Sequence, residues 1–216
     1  MSTLPVPPMF DAEFQAKLAL LIAWRRDVRR FRHEGVPQAT LDHLLDLVQL
    51  SPSVGNSQPW RIVSVTQKAR RAAIRANFEQ TNAAALHAYS GERAALYARL
   101  KLSGLDDAPV HWAVFCDHAT RQGDGLGMAT MPETLDASVS GMIATLWLAA
   151  RAQGLGLGWV SILDPLAATA ALEVPPSWKL IAYLCIGWPQ EEHSDPELVR
   201  YRWQNRTHAG RQVLER

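Results

Sequence analysis

The chain has 216 residues, of which 48% are apolar, so it is long enough to bury one substantial core. A formal net charge of +1 argues against general nucleic-acid binding, and two cysteines in apolar runs, with no ligand spacing among the histidines, argue against a metal site. We find no signal-peptide pattern and no apolar run of membrane-spanning length. We therefore expect a cytoplasmic protein without metal, membrane or nucleic-acid partners.

The first half of the chain is predicted to be mainly helical. Asp11 can cap a first helix whose apolar face comprises Phe14, Leu18, Leu21 and Ile22. A second helix is expected at 39–50 and ends at Ser51-Pro52, because the residue before proline avoids the helical region. A loop at 53–59 then precedes a strand at 60–66, and further helices are expected at 68–89 and 91–102.

The second half mixes strands with helices. Strands are expected at 110–116, 158–163 and 179–187, and a glycine- and methionine-rich loop at 119–133. A long helix at 135–153 ends at Gly154, and Asp164-Pro165 opens a short one. From Trp188 onward the chain is polar and irregular. Because helices dominate and strands are scattered, we predict an α+β layer fold in a single domain over 1–216, with irregular tails at 1–10 and 207–216.

A cluster of arginines follows the first helix. Arg25, Arg26 and Arg29 surround Asp27 and Val28, and a helical turn would place residues i and i+4 on one face. Guanidinium groups match phosphate oxygens well, so the cluster predicts a site for a dianion. Its arginines should lower the pKa of Asp27 and keep it ionised beside that ligand. A solvated charge run with local ion pairs is the alternative explanation.

Three glycine-containing segments are candidates for ligand-binding loops. The glycines at 154–158 follow a helix instead of a strand, and those at 123–127 lack the full spacing of a dinucleotide loop, so neither supports a Rossmann site. In the loop at 53–59, Gly55 allows the backbone to approach a flat ligand, and Ser53, Asn56 and Gln58 offer polar groups. Alone, this pattern is that of an ordinary turn.

Together, the arginine segment and the loop from Pro52 to Trp60 resemble the nitroreductase-type flavoprotein family. The resemblance spans roughly 15–206 and continues through the segments 89–93, 100–102, 146–152, 156–162 and 185–187. It implies a nitroreductase-like fold, with a central mixed, mainly antiparallel sheet flanked by helices. It also implies an intertwined homodimer with FMN at the subunit interface.

Three features resemble the branch of that family that makes 5,6-dimethylbenzimidazole, the lower ligand of vitamin B12. They are Asp27, Ser-Gly-Glu-Arg at 90–93 and Gly-Trp-Val-Ser at 158–161. In that branch, which has also been described as cob(II)yrinic acid a,c-diamide reductases, molecular oxygen fragments reduced FMN. A separate NAD(P)H-dependent flavin reductase then has to supply the reduced FMN.

Two alternatives to that branch stay open. Asn56 follows Gly55 as in ordinary nitroreductases, whereas the branch often has an apolar residue there, so a generic NAD(P)H-dependent nitroreductase or quinone reductase using FMN remains possible. A non-catalytic flavin or corrinoid carrier would keep the arginines but would not need Asp27.

The resemblance also implies a set of site residues. Asp27 is expected to act as a base and Ser161 to hold or relay a proton. The alternatives are a structural ion pair with Arg25 or Arg30 for Asp27, which is compatible with catalysis, and a strand hydroxyl bonded to backbone for Ser161, which would be preferred without the resemblance. Arg206 is carried over from a basic residue near the end of the family's chain. The residues expected to contact FMN are Arg25, Arg26, Asp27, Val28, Arg29, Pro52, Ser53, Gly55, Asn56, Lys101, Leu102, Ser161 and Arg206.

Overall fold

The computed structural model describes residues 7–99 and 104–216. Lys101 and Leu102 lie outside the described residues. The helices are α1 (Ala12–Trp24), α2 (Gln38–Val48), α3 (Lys68–Leu86), α4 (Gly91–Arg99), α5 (Gly104–Asp107), α6 (Glu133–Ala152), α7 (Pro165–Leu172) and α8 (Glu197–Arg200). The strands are β1 (Trp60–Ser64), β2 (Val110–Asp117), β3 (Gly156–Val160) and β4 (Trp178–Gly187).

The four strands form one sheet in the order β1-β2-β4-β3, and all neighbours are antiparallel. Helices cover both faces of the sheet. Successive side chains of a strand point to opposite sides, so each strand contributes residues to both cores. On β2, Trp112 and Val114 belong to a core with α2 and α6. Ala113 and Phe115 belong to a second core with α3 and α7. The predicted α+β fold with a mainly antiparallel sheet flanked by helices is therefore confirmed.

Most predicted elements agree with the structure to within a few residues. Asp11 caps α1 as expected, with its carboxylate accepting from the Phe14 N–H at 2.8 Å. However, α1 buries none of its side chains in this single chain; Leu18 is 41% exposed and Ile22 is 52% exposed. The short helices α5 and α8 were not predicted. No helix in the described part of the chain is long and apolar enough to cross a membrane.

The predicted helical turn at 25–29 is wrong. Helix α1 ends at Trp24, and Arg25 already has extended backbone with ψ of 114°. The chain then runs along β3, where Asp27 pairs with Leu157 in a parallel bridge and the Val28 N–H donates to the Leu157 carbonyl at 3.1 Å. This parallel contact makes the sheet mixed.

Glycines in β3 explain why the segment lies flat against the strand. A Cβ built at Gly158 would be 2.2 Å from the Val28 carbonyl oxygen, and one at Gly156 would be 2.7 Å from a Val28 methyl group. Phe31 is fully buried at the end of the same segment. Burial of these apolar side chains and pairing with β3 therefore override the local preference for a helix.

Candidate functional site

A cavity of about 430 Å³ lies between the 25–29 segment, the end of β3, the middle of α6 and the C-terminal tail, here residues 194–206. This volume is within the range of roughly 300–1,000 Å³ that small-molecule sites occupy. In extended backbone, alternate residues lie on the same side of the chain. This periodicity places the side chains of Arg25, Asp27 and Arg29 together at the cavity, whereas the predicted helical turn would have placed Arg25 and Arg29 together through their i, i+4 spacing. The lining residues are Arg25, Arg26, Asp27, Arg29, Trp147, Trp159, Ser161, Pro196, Glu197, Leu198 and Arg206.

Two tryptophans that sequence reasoning missed supply the aromatic part of the lining. The Arg25 guanidinium lies over the Trp147 ring at 4.7 Å from its centroid, and the Trp147 indole N–H donates to the Arg26 carbonyl at 3.2 Å. The Trp159 ring is 6.4 Å from that of Trp147. Trp159 stands inside the Gly-Trp-Val-Ser motif at 158–161 and Trp147 inside the resembling segment at 146–152, so the family resemblance was the available signal for both.

Positive charge is concentrated at this cavity. Burial, followed by the nearby charges of Arg206 and Arg25, lowers the pKa of Arg26 from its usual value. The Arg26 guanidinium donates hydrogen bonds to two backbone carbonyls, to that of Arg25 at 2.9 Å and to that of Ser194 in the tail at 3.0 Å. Arg25 and Arg206 make no hydrogen bond through their guanidinium groups to any other described residue. An anion would therefore meet unneutralised charge here.

Asp27 occupies the centre of this charge cluster. Its Oδ1 accepts from the Trp159 N–H at 2.9 Å, and its Oδ2 lies 3.4 Å from the Arg29 Nε. The side chain keeps 36% of its surface open to the cavity, yet protein atoms surround the carboxylate on most sides. This desolvation raises the pKa of Asp27 and outweighs the Trp159 and Arg29 contacts that lower it. The expected lowering of this pKa is therefore wrong.

Glu197 is a second carboxylate at the cavity, and the sequence offered no signal for it. Its side chain is only 9% exposed and lies 3.9 Å from the Arg29 guanidinium and 3.5 Å from that of Arg30. Arg29 thus has a carboxylate on each side. The negative charge of Glu197 adds to the factors that raise the pKa of Asp27.

Ser161 comes one residue after the end of β3, because the strand finishes at Val160 and not at the predicted Leu163. The residue is exposed, and its hydroxyl makes no hydrogen bond to another residue in the described ranges. The interpretation of Ser161 as a backbone-bonded strand hydroxyl therefore has no support. The hydroxyl opens on the same cavity as Asp27.

Within one chain, the predicted loop residues Pro52, Ser53, Gly55 and Asn56 do not line this cavity. The loop sits at the other end of α6, where the Val54 N–H donates to the Ser138 hydroxyl at 3.0 Å. Ser138 and the cavity residue Trp147 are separated by nine positions on α6, about 14 Å along a helix axis. The arginine cluster and the loop are therefore two separate regions of the single chain.

A side-chain group with metal-ligand chemistry lies near that end of α6. It comprises Cys116, His118 and Asp136, whose ligand atoms are all within 4.8 Å of one another. Asp136 already accepts from Lys179 at 2.6 Å and contacts the His118 ring at 2.8 Å, so its charge is balanced by protein groups. The expectation that the chain holds no metal stays a prediction.

Comparison with known proteins gives consistent relatives. The sequence model of the nitroreductase family matches residues 22–188. A 5,6-dimethylbenzimidazole synthase of Rhodospirillum rubrum is 58% identical over 92% of this chain and 94% of that protein. One of Rhodobacter capsulatus is 47% identical over 90% of this chain and 94% of that protein. An FMN-bound structure of oxidized iodotyrosine deiodinase matches with a TM-score of 0.69 and 24% identity, covering 82% of this chain and 91% of that one.

Proposed function

The chain belongs to the nitroreductase family, and we propose that it acts as a 5,6-dimethylbenzimidazole synthase that consumes reduced FMN and molecular oxygen. The names of its relatives agree with the branch that the sequence resembles, and family membership supports the use of a flavin. The observation that carries the proposal is the position of Asp27 and Ser161 in one arginine-lined cavity. A separate NAD(P)H-dependent reductase would supply the reduced flavin.

The donor set of the cavity fits FMN. Arg25, Arg29 and Arg206 would bind the phosphate end, because guanidinium groups pair well with phosphate oxygens. Arg26 would contribute its charge while its donors hold the Arg25 and Ser194 carbonyls. The indoles of Trp147 and Trp159 offer apolar surface to a flat ring. Val28 would contribute through the backbone contact that fixes the segment on β3.

Proton transfer would be handled by two side chains of the chain itself. When reduced FMN is bound, it would supply the electrons that activate oxygen. Burial raises the pKa of Asp27 towards neutral pH. A carboxylate transfers protons more efficiently when its pKa is closer to the pH at which the enzyme works. The Trp159 N–H and Arg29 fix the orientation of the carboxylate, and the Ser161 hydroxyl is available to hold or relay a proton.

We infer that the site is completed by a second copy of the chain. The apolar side chains of α1 are uncovered in one chain, and the cavity is open towards solvent beside α6. In a homodimer with the flavin at the interface, the loop with Pro52, Ser53, Gly55 and Asn56 of the second copy would lie along the flavin ring. Contact of Lys101 and Leu102 with the ring edge stays a prediction.

A generic FMN-dependent nitroreductase or quinone reductase is the second proposal, because Asn56 follows Gly55 as in ordinary nitroreductases. This activity would need NAD(P)H as the reductant and would leave FMN intact. A carrier without catalysis would bind FMN in the same cavity but would be indifferent to the loss of the Asp27 carboxylate.

The test compares Asp27→Asn and Ser161→Ala with the wild type. Both variants should bind FMN within about tenfold of the wild type, yet form 5,6-dimethylbenzimidazole from reduced FMN in air about a hundredfold more slowly or worse. Asp42→Asn and Ser64→Ala make the same chemical changes at exposed positions and should match the wild type. Normal product formation by Asp27→Asn would reduce that carboxylate to an ion-pair partner.

A further inference from the structure

The C-terminal tail forms one wall of the cavity but has little attachment of its own. Pro196, Glu197, Leu198 and Arg206 line the cavity. Every backbone hydrogen bond described for residues 196–204 joins two residues of that same segment. The position of this wall therefore depends on side-chain contacts with the rest of the fold.

Those contacts hold the tail at two places. At its start, Arg26 donates to the Ser194 carbonyl, and Glu197 faces Arg29 and Arg30. Further on, the Arg93 guanidinium lies over the Trp203 ring at 3.8 Å from its centroid and donates to the Trp203 carbonyl at 2.8 Å. One arginine thus holds both the side chain and the backbone of a single tail residue.

Trp203 sits in an aromatic cluster between α3 and α4. Its ring meets that of Tyr89 edge-on at 5.4 Å and that of Tyr97 at 6.0 Å, while the two tyrosines stack at 5.0 Å. The Tyr97 hydroxyl contacts the Asn82 side chain of α3 at 2.8 Å, which fixes the cluster on that helix. Among residues 201–216, Trp203 is the only one that is not exposed. It is therefore the anchor of the end of the chain.

We propose that Arg93 is a positioning residue for the flavin site: by anchoring Trp203, it holds the tail so that Arg206, three residues further on, stays at the cavity. Arg93 belongs to the Ser-Gly-Glu-Arg segment at 90–93, and it does not line the cavity itself. Its effect on FMN therefore passes through the tail. This inference rests on the proposed flavin site.

The experiment measures binding of oxidised FMN and of riboflavin by flavin fluorescence, since only FMN carries the phosphate. Arg93→Ala should weaken FMN binding about tenfold and riboflavin binding much less. In an Arg206→Ala background, the same substitution should cost little further FMN affinity, because the group that it positions is already gone. Arg93→Lys keeps the charge but loses the planar guanidinium group, so its FMN affinity should lie between those of the wild type and Arg93→Ala. Glu92→Gln is the control on the same helix and should match the wild type.

Tail anchoring is measured separately by trypsin cleavage after Arg202 and Arg206, followed by mass spectrometry. Cleavage should be about tenfold faster in Arg93→Ala and Trp203→Ala than in the wild type, and close to normal in Trp203→Phe. Unchanged cleavage, or equal losses of FMN and riboflavin affinity in Arg93→Ala, would overturn the positioning role. A wild type that binds neither flavin would instead overturn the proposed function, while faster tail cleavage in Arg93→Ala would still establish the anchor.

Discussion

Gly158→Ala tests whether the arginine segment depends on its close contact with β3. The added Cβ would stand 2.2 Å from the Val28 carbonyl oxygen, whereas ordinary contact begins near 3.4 Å. The segment and the strand must therefore separate by about 1.2 Å. Two hydrogen bonds cross this gap, Val28 N–H to the Leu157 carbonyl at 3.1 Å and Trp159 N–H to Asp27 at 2.9 Å.

The expected cost combines overpacking with weakened hydrogen bonds. Forcing an extra carbon into a packed contact costs roughly 1–3 kcal/mol. A neutral hydrogen bond contributes about 1 kcal/mol and one to a charged group about 1.5–3 kcal/mol, and partial relaxation will keep some of both. We therefore expect a loss of roughly 3 kcal/mol in the free energy of unfolding. In a protein of this size that lowers Tm by about 6–12 °C.

Thermal unfolding and FMN titration of Gly158→Ala check this account, with Gly35→Ala as the matched control. A Cβ at Gly35 has no heavy atom within 4 Å, so that variant should stay within about 0.5 kcal/mol of the wild type. Gly158→Ala should also bind FMN at least about tenfold more weakly, because it displaces the segment that carries Arg25 and Arg29. If Gly158→Ala has wild-type stability and affinity, the segment does not lie against β3 as described.

Three further predictions concern titration and assembly. Because burial raises the pKa of Asp27, its charged form destabilises the fold above the pKa of an unfolded aspartate; Asp27→Asn should raise Tm at pH 7, and a gain that persists below about pH 4 would contradict this reason. Burial lowers the pKa of His111 to about 4, so this histidine is protonated in the unfolded chain at a higher pH than in the folded one. The free energy of unfolding of the wild type should therefore fall by about 3 kcal/mol as the pH decreases from about 6.5 to 4. A His111→Asn variant that is equally sensitive to acid would show that His111 is not the cause. Analytical ultracentrifugation at micromolar concentration should show a dimer, and a monomer that binds FMN normally would exclude a site shared between subunits.

The elements with strong local patterns were predictable from the sequence. Helix α6 carries a long apolar repeat and a glycine stop, and β2 and β4 are mainly apolar runs of 8 and 10 residues. The cap at Asp11 and the Asp164-Pro165 start of α7 follow from side-chain chemistry within one turn. These signals are local, so they survive whatever the rest of the chain does.

The arginine segment was not predictable, because its conformation depends on a strand about 130 residues away. Spacing alone favoured a helical turn, whereas the pairing of Asp27 with Leu157 and the absence of side chains at Gly156 and Gly158 favour extended backbone. The prediction of a lowered pKa for Asp27 was wrong for a related reason. The sequence displays the neighbouring charges, but it does not display the desolvation that outweighs them.

Long-range contacts also explain the residues that sequence reasoning missed. Trp147 and Arg93 stand in segments that carry the family resemblance, but their contacts with Arg25 and Trp203 join segments distant in the chain. Glu197 has no local motif, and its role comes from Arg29 and Arg30. The predicted loop residues illustrate the opposite case. Their pattern was recognisable through the family resemblance, yet one chain holds them about 14 Å along α6 from the cavity, and only a second copy would bring them to the flavin.

We expect FMN to be consumed and not retained, and isotope labelling distinguishes these two fates. The purified protein is mixed with reduced FMN that carries ¹⁵N at N5 and N10, the two flavin nitrogens bonded to the dimethylated ring, and the mixture is exposed to air. The products are then separated and identified by mass spectrometry. We predict labelled 5,6-dimethylbenzimidazole in an amount equal to the FMN lost, and none in the absence of oxygen. Full recovery of labelled FMN, together with NAD(P)H-dependent reduction of a nitroaromatic or a quinone, would contradict this expectation and favour the generic reductase.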